Sequence, residues 1–297
     1  MSYHSGFAAL VGRPNVGKST LLNALLGRKI AITTAKPQTT RNRIQGILHR
    51  EDAQLILVDT PGVHKASNLL GQRMVKTSKR AAGDVDLIWH IVDISKPPRE
   101  EDQWVADMCQ KTGIPTWLIG NKKDLVQHLE GRVDPYLALM SYSAHFVISA
   151  EKEQGLESLV DQAMDLLPEG DPYFPPDMVT DQTEDFYVGE IIREKALELT
   201  EDEIPHSLAV VVDERTERSE QVMYVRATLF VERPTQKAIV IGQHGQMLKK
   251  IGQGARQDLE EYYGRRVFLD LWVKVRPHWR SEDQWLSRLG YQDPEKL

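Results

Sequence analysis

The 297-residue sequence predicts an α/β fold: a doubly wound, mainly parallel sheet built around a phosphate-binding loop, followed by a smaller α+β domain. Three observations predict it. Short runs that are apolar on both faces alternate with longer helical stretches through the first 170 residues, as a parallel sheet covered on each side requires. The stretch "GRPNVGKST" (12–20) stands between one such run and a helical one. A proline-dense polar stretch, "PEGDPYFPPDMVTDQT" (168–183), then interrupts the chain, and the order of elements changes after it.

Strands are expected at 7–12, 55–59, 87–93, 116–121 and 145–149, with crossover helices near 18–28, 68–82, 100–112 and 155–167. Residues 171–183 read as a semi-rigid linker between a first domain over 1–170 and a second over 184–297. Beyond the linker a helix over 184–200 leads into "SLAVVVDE" and "VMYVRATLFVE", whose alternation predicts an antiparallel pair. A short helix, the turn "GQHG" (242–245), a longer helix and the strand "RRVFLDLWVKV" complete the order α-β-β-α-α-β.

An apolar share of 41% and a charged share of 27% are those of an ordinary soluble globular chain, which excludes a disordered or fibrous class. The single cysteine, Cys109, excludes an internal disulfide framework and suits a reducing cytoplasm; on a helix between strands it reads as a packed thiol. No apolar run approaches the ~20 residues that span a bilayer, and the first residues lack the form of a secretory signal. A soluble cytoplasmic protein is therefore expected. Net charge is −6, but unevenly spread: residues 235–280 hold nine Lys/Arg against four acids, a local +5 that leaves −11 elsewhere. A polyanion or a merely solvated surface would both account for that patch.

Gly12, Gly17, Lys18 and Ser19 have the spacing G-x-x-x-x-G-K-[ST] after a strand and before a helix. Such a loop, here Gly12, Arg13, Pro14, Asn15, Val16, Gly17, Lys18, Ser19 and Thr20, wraps backbone N–H groups around phosphates. Lys18 is placed to reach the β/γ oxygens and Ser19 to ligate Mg²⁺. The next strand ends in "DTPG" (59–62), where Asp59 can hold Mg²⁺ through water and Gly62 can offer an N–H to the γ-phosphate. "NKKD" (121–124) ends a further parallel strand on the same rim. The Asp124 carboxylate can accept from guanine N1–H and from the exocyclic amine, whereas adenine presents an acceptor there. Each unpaired buried polar group costs roughly 1–3 kcal/mol, so ATP is rejected. Asn121 can brace the site, Lys122 can lie along the ring, and "SA" (Ser149, Ala150) ends the last strand with the Ala150 N–H facing guanine O6.

In the second domain, "VIGQHGQMLKKIG" (240–252) is a G-x-x-G turn joining two helices and followed by basic residues. Gly242 and Gly245 let a nucleic-acid backbone approach closely, Gln243 and His244 project from the turn, and Lys249 and Lys250 can reach phosphates. Ile241, Met247, Leu248 and Ile251 would wall a groove for bases, while Trp272 and Trp279 read as core and lid.

Together, GxxxxGKS, DTPG, NKKD and SA resemble the GTPase superfamily over about the first 170 residues, and the later segment resembles a type II KH domain. The combination, with "GEIIREKAL" (189–197), "LWVKV" (271–275) and "LGY" (289–291), is similar to the bacterial Era family of GTPases. The resemblance implies that switch I lies in "AKPQTTRNR" (35–43), where the Mg²⁺-binding threonine falls on Thr40 with Thr39 competing beside it. It implies the cofactors GTP/GDP and Mg²⁺. It also implies a K⁺ near the Asn15 side-chain oxygen, because Val63 stands where Ras-like GTPases carry a water-orienting glutamine. Catalysis then rests on Lys18, Thr40, Gly62 and Asn15. The implied partners are the 3′ end of small-subunit (16S) ribosomal RNA and the 30S particle, with a monomeric protein, no DNA, and peripheral contact with the inner face of the cell membrane as the alternative setting.

Overall fold

A computed structural model describes residues 2–63 and 65–293; position 1 of the first expected domain and 294–297 of the second lie outside the described residues. The first domain contains β1 (His4–Val11), α1 (Lys18–Leu26), β2 (Ile44–His49), β3 (Ala53–Asp59), α2 (Leu69–Gly83) and β4 (Leu87–Asp93). It continues through α3 (Glu100–Gln110), β5 (Thr116–Asn121), α4 (Asp134–Leu137), β6 (Ala144–Val147) and α5 (Leu156–Asp165). Its sheet has the order β2-β3-β1-β4-β5-β6, all parallel except the edge strand β2.

Alternation along the strands supplies two buried faces. Ala8 and Leu10 of β1 share a cluster with Leu21 and Leu22 of α1 and Leu159 and Ala163 of α5. Ala9 and Val11 point to the opposite face and join Ala82 of α2 and Val105 and Cys109 of α3. Cys109 is thus the packed thiol expected, and burial pushes its pKa up to about 12. β3 and β4 leave β1 on opposite sides, so the crevice beyond Val11 is a switch point of the kind where ligands bind in open α/β sheets.

One first-domain feature differs from the sequence reading. Strand β2 was not anticipated, because "IQGILH" shows neither strict alternation nor a continuous apolar run. Its Gly46 is the reason: a Cβ there would lie 2.6 Å from a Leu22 methyl, so the strand admits α1 by giving up a side chain. The proline-rich stretch, read as a semi-rigid linker, is bonded to the first sheet. Its residues run back along the sheet, with Gly170 N–H donating to Tyr3 O and Ile47 N–H donating to Val179 O. The fully buried Gln54 accepts from the N–H groups of Tyr173 and Phe174 and donates to Phe174 O. Thr180 bonds Gln45 O and His49 bonds Met178 O. Prolines suit this strap because they hold it extended while the remaining amides make the bonds.

The second domain comprises α6 (Glu184–Leu199), α7 (Ile204–Ser207), β7 (Ala209–Ser219), β8 (Val222–Val231), α8 (Pro234–Ile241), α9 (Gln246–Tyr263), β9 (Arg266–Val275) and α10 (Asp283–Arg288). Thr183 caps α6 by accepting from Phe186 N–H. β7 and β8 are antiparallel, as read, and β9 lies parallel to β8, which makes the minimal sheet β7-β8-β9. The odd-numbered residues of β9 face the helices, so Phe268 and Trp272 stand outward at 56% and 53% exposure. Trp272 is therefore a surface residue rather than core or lid, whereas Trp279 is fully buried and donates to Ser207 O. Ile251, expected in a groove wall, points into the core instead.

Candidate nucleotide site and nucleic-acid interface

Residues 12–17 turn back over the end of β1 before α1 begins at Lys18. Glycine is required twice in this loop. A Cβ on Gly12 would lie 2.4 Å from Ile91 O, and Gly17, at φ +98°, would drive one to 2.3 Å from the Asn121 amide nitrogen. Lys18 curls over the loop, its ammonium donating to Gly12 O at 3.2 Å and Arg13 O at 3.1 Å. Burial lowers its pKa to about 8 against the opposing pull of Asp59. An open cavity of about 420 Å³ lies here, lined by Pro14, Asn15, Thr20, Thr40, Gly62 and Lys122 among others. Arg13 and Val16 turn their side chains away: Arg13 Nε pairs with Asp102 at 3.1 Å, and Val16 is buried in the core.

Three expected metal ligands meet. Ser19 Oγ donates to Asp59 Oδ2 at 2.6 Å and lies 2.8 Å from Thr40 Oγ1. Asp59 is fully buried, and its Oδ1 has no partner among the described residues. Burial raises its pKa to about 6, in spite of Lys18 and Ser19. One orphaned carboxylate oxygen beside two hydroxyls fits a hard divalent cation such as Mg²⁺. Of the two adjacent threonines, Thr40 joins this cluster, while Thr39 Oγ1 donates to Lys36 O at 2.7 Å and sits 2.8 Å from Thr34 Oγ1. Gly62 presses on the loop, for a Cβ there would lie 2.7 Å from Pro14 N, and the buried Val63 donates its N–H to Gly12 O. Asn15, at φ 63°, donates its side-chain amide to Ala35 O at 2.8 Å, which ties the loop to the 35–43 segment.

The residues expected on the base side gather at the ends of β5 and β6. Asn121 donates to Val16 O at 2.9 Å and accepts from Ala150 N–H at 3.0 Å. The Ala150 N–H, expected to face guanine O6, is thus engaged by Asn121. Lys122 donates to Asn15 O at 2.8 Å and to Asp93 Oδ2 at 3.0 Å, so only its stem remains to lie along a ring. Burial would raise the Asp93 carboxyl, but bonds from Ser95 and Lys122 outweigh it and hold it below the ordinary range. Asp124 is exposed at the rim, its Oδ1 accepting from Ser149 Oγ at 2.5 Å.

In the second domain the tetrapeptide 242–245 is a tight turn. Gly242 has φ +75°, and a Cβ there would meet Met247 at 2.7 Å; His244 and Gly245 also have positive φ. Gln243, His244, Lys249 and Lys250 are exposed beside the half-buried Ile241, Met247 and Leu248. Arg256, Arg265, Arg276 and Arg280 are paired with Glu260, Glu217, Glu282 and Glu232, so the local positive excess concentrates around the turn and β9.

Sequence reasoning passed over Asp93, although a carboxylate closing the apolar run "LIWHIVD" was a signal. It also passed over Arg41 and Arg193, two buried guanidiniums between the domains, for which no local signal exists.

A family model described as a 50S ribosome-binding GTPase matches residues 7–122, and one described as a KH domain matches 203–280. The protein named GTPase Era of Leuconostoc citreum (strain KM20) is 46% identical over 296 residues, covering 98% of each chain. That of Caldanaerobacter subterraneus subsp. tengcongensis is 46% identical over 294 residues, covering 98% of this chain and 99% of its own. The chain belongs to the Era family of GTPases. A crystal structure described as Era in complex with MgGDPNP and nucleotides 1506–1542 of 16S ribosomal RNA superposes with a TM-score of 0.93 at 37% identity, covering 98% of this chain and 99% of that one. An Aquifex aeolicus Era variant bound to GDP and AlF4⁻ gives the same score and identity over 97% and 99%. The P-loop G domain and the KH domain of the Era architecture thus account for both halves of the chain.

The buried carboxylate has a measurable consequence for this Era-family chain. Because Asp59 has a folded pKa near 6, above its ordinary 3.8, the folded state binds that proton more tightly than the unfolded state does. Its contribution to stability therefore falls as pH rises between those values. In nucleotide-free urea titrations, Asp59→Asn should gain up to about 3 kcal/mol relative to the unsubstituted chain between about pH 4 and about pH 7. A constant difference across that range would contradict the burial account.

Proposed function

We propose that the chain is a guanine-specific, Mg²⁺-dependent switch whose KH domain holds the 3′ end of 16S ribosomal RNA and assists maturation of the 30S subunit. The observation that carries the nucleotide half is Asn121, which bonds Val16 O on one side and Ala150 N–H on the other. That brace sets the purine rim at a fixed distance from the phosphate loop. Asp124, steadied by Ser149, then presents its free lone pairs to the guanine N1–H and amine. Lys18 would reach the β- and γ-phosphate oxygens, Gly62 would donate its N–H to the γ-phosphate, and Ser19, Thr40 and Asp59 would hold Mg²⁺. Bound there, Mg²⁺ would offset charge on the phosphate oxygens. Asn15 Oδ1 would face K⁺, since Val63 can orient no water.

The RNA half is supported by the strained turn 242–245 with Lys249 and Lys250 exposed behind it, and by the relative whose complex contains 16S nucleotides. Lipid is the weaker partner for the same surface. The apolar side of α9 is spent on the core through Ile251, Ala255 and Leu259, and no helix among the described residues is long and apolar enough to cross a membrane.

Asp124→Asn should weaken GTP at least about tenfold and improve xanthosine triphosphate, because an amide cannot accept from both guanine donors. Competition binding with the two nucleotides decides it; an unchanged preference would remove guanine recognition from this residue. Turnover in KCl should exceed that in NaCl, and equal rates would dispose of the K⁺ role. If nucleotide and RNA sites are linked, GTP and RNA tighten each other by the same factor. Titrating the 16S 3′ segment into GTP-analogue and GDP forms measures that factor, and equal affinities would dissolve the link.

A further inference from the structure

Three consecutive residues of the 35–43 segment are held from three directions. Thr40 presents its hydroxyl to Ser19, on the cluster with Asp59. The carbonyl of Thr39, immediately before it, accepts from Arg193 Nη2 of α6. Arg41, immediately after it, sends its guanidinium into the second domain, donating to Leu208 O at 2.6 Å and Pro205 O at 2.7 Å. A peptide unit is planar, so fixing the Thr39 carbonyl fixes the Thr40 N–H and the approach to the Thr40 Cα.

Arg193 is itself aimed before it meets that carbonyl. Its Nε and Nη2 each lie 2.6 Å from a Glu190 oxygen one turn earlier, a forked pair that leaves the guanidinium little freedom. Helical spacing places Glu190, Arg193 and Glu194 on one face. Glu194 accepts from Thr33 N–H at 2.9 Å and pairs with Lys29 at 2.5 Å, while Ile32 joins the buried apolar cluster of the second domain. The 29–41 segment is therefore seated on α6 along much of its length. Stability is a poor reason for this arrangement: Arg193 Nη1 and Arg41 Nε are buried without partners among the described residues, and apolar replacement of buried charge is often neutral or better.

We infer that Arg193, although carried by the RNA-binding domain, is a positioning residue for GTP hydrolysis, because it orients the Thr39–Thr40 peptide so that the Thr40 hydroxyl reaches the Ser19–Asp59 cluster. The inference rests on the metal and nucleotide assignment proposed above. It adds that the cation site is completed from the second domain, and that the first domain alone would hold Thr40 less well.

The test uses the full chain and follows GTP hydrolysis against Mg²⁺ concentration, alongside GDP affinity. Arg193→Met should raise the half-saturating Mg²⁺ concentration and lower kcat, each by about tenfold, as loss of one charge-assisted bond implies. GDP affinity, which depends on the loop and purine rim, should stay within about twofold. Asp258→Asn, which breaks a partly exposed interdomain pair with Lys29, should leave all three within about twofold. Arg193→Met with normal GDP affinity, Mg²⁺ requirement and kcat would overturn the inference, as would a lowered melting temperature with no change in Mg²⁺ requirement. Should Arg193→Met fail to fold, Arg193→Lys decides: lysine can pair with Glu190 but lacks the fork to hold Thr39 as well, so the Mg²⁺ shift is again expected and its absence overturns the inference. Failure of the unsubstituted chain to bind GDP would instead sink the nucleotide assignment.

Discussion

Asp59 closes strand β3 beyond the reach of solvent, and the phosphate loop and the 35–43 segment converge on it. A carboxylate buried without compensation is strongly disfavoured, and burial raises the pKa of this one to about 6 even though Lys18 and Ser19 pull it down. What surrounds it comes from separate parts of the chain: Lys18 and Ser19 from the phosphate loop, and Thr40, through Ser19, from the segment between α1 and β2. One carboxylate therefore ties the phosphate loop and the 35–43 segment to the end of β3. The remaining oxygen, Oδ1, stays unsatisfied, and a divalent cation is the partner whose chemistry answers it.

From that point the constraint spreads in two directions. Toward the ends of β5 and β6 it passes through the phosphate loop to Asn121, whose amide fastens Val16 and Ala150 together, and to Lys122, which spans Asn15 and Asp93. Toward the second domain it passes through Thr39 and Arg41 to α6 and the residues around α7. A further contact comes from α2, which follows the Asp59–Gly62 turn: Arg73 bonds the Tyr291 carbonyl and Asp283, and Leu70 and Met74 pack with Trp279 and Leu286. Both the 35–43 segment and the one that follows Asp59 thus carry second-domain contacts. The proline-rich stretch is strapped to the first sheet by Gln54 and Thr180.

Legibility from sequence divided along a physical line. The parallel strands announced themselves because burial on both faces demands continuous apolar runs, and the phosphate loop because its glycines are imposed by backbone proximity at Ile91 and Asn121. The antiparallel strand β2 left no such trace, since Gly46 surrenders its side chain to make room for Leu22. Trp272 was misread for a related reason: its strand has one packed face and one open face, and neither aromatic character nor β propensity states which is which. Alternation on β9 does, but only once Val267 and Val273 are known to be the inward residues.

Residue type and spacing by themselves determined the fold class, the phosphate loop and the glycine turn at 242–245, because each depends on groups a few residues apart whose geometry the local backbone dictates. The tertiary structure alone decided which of two adjacent threonines faces Asp59, that the Ala150 N–H is engaged by Asn121, and that Arg193 reaches across a domain boundary to Thr39. Those are contacts between residues far apart in the chain, made in a buried setting where a single unpaired donor or acceptor matters. No local pattern encodes them, because their partners are chosen by how the two domains pack.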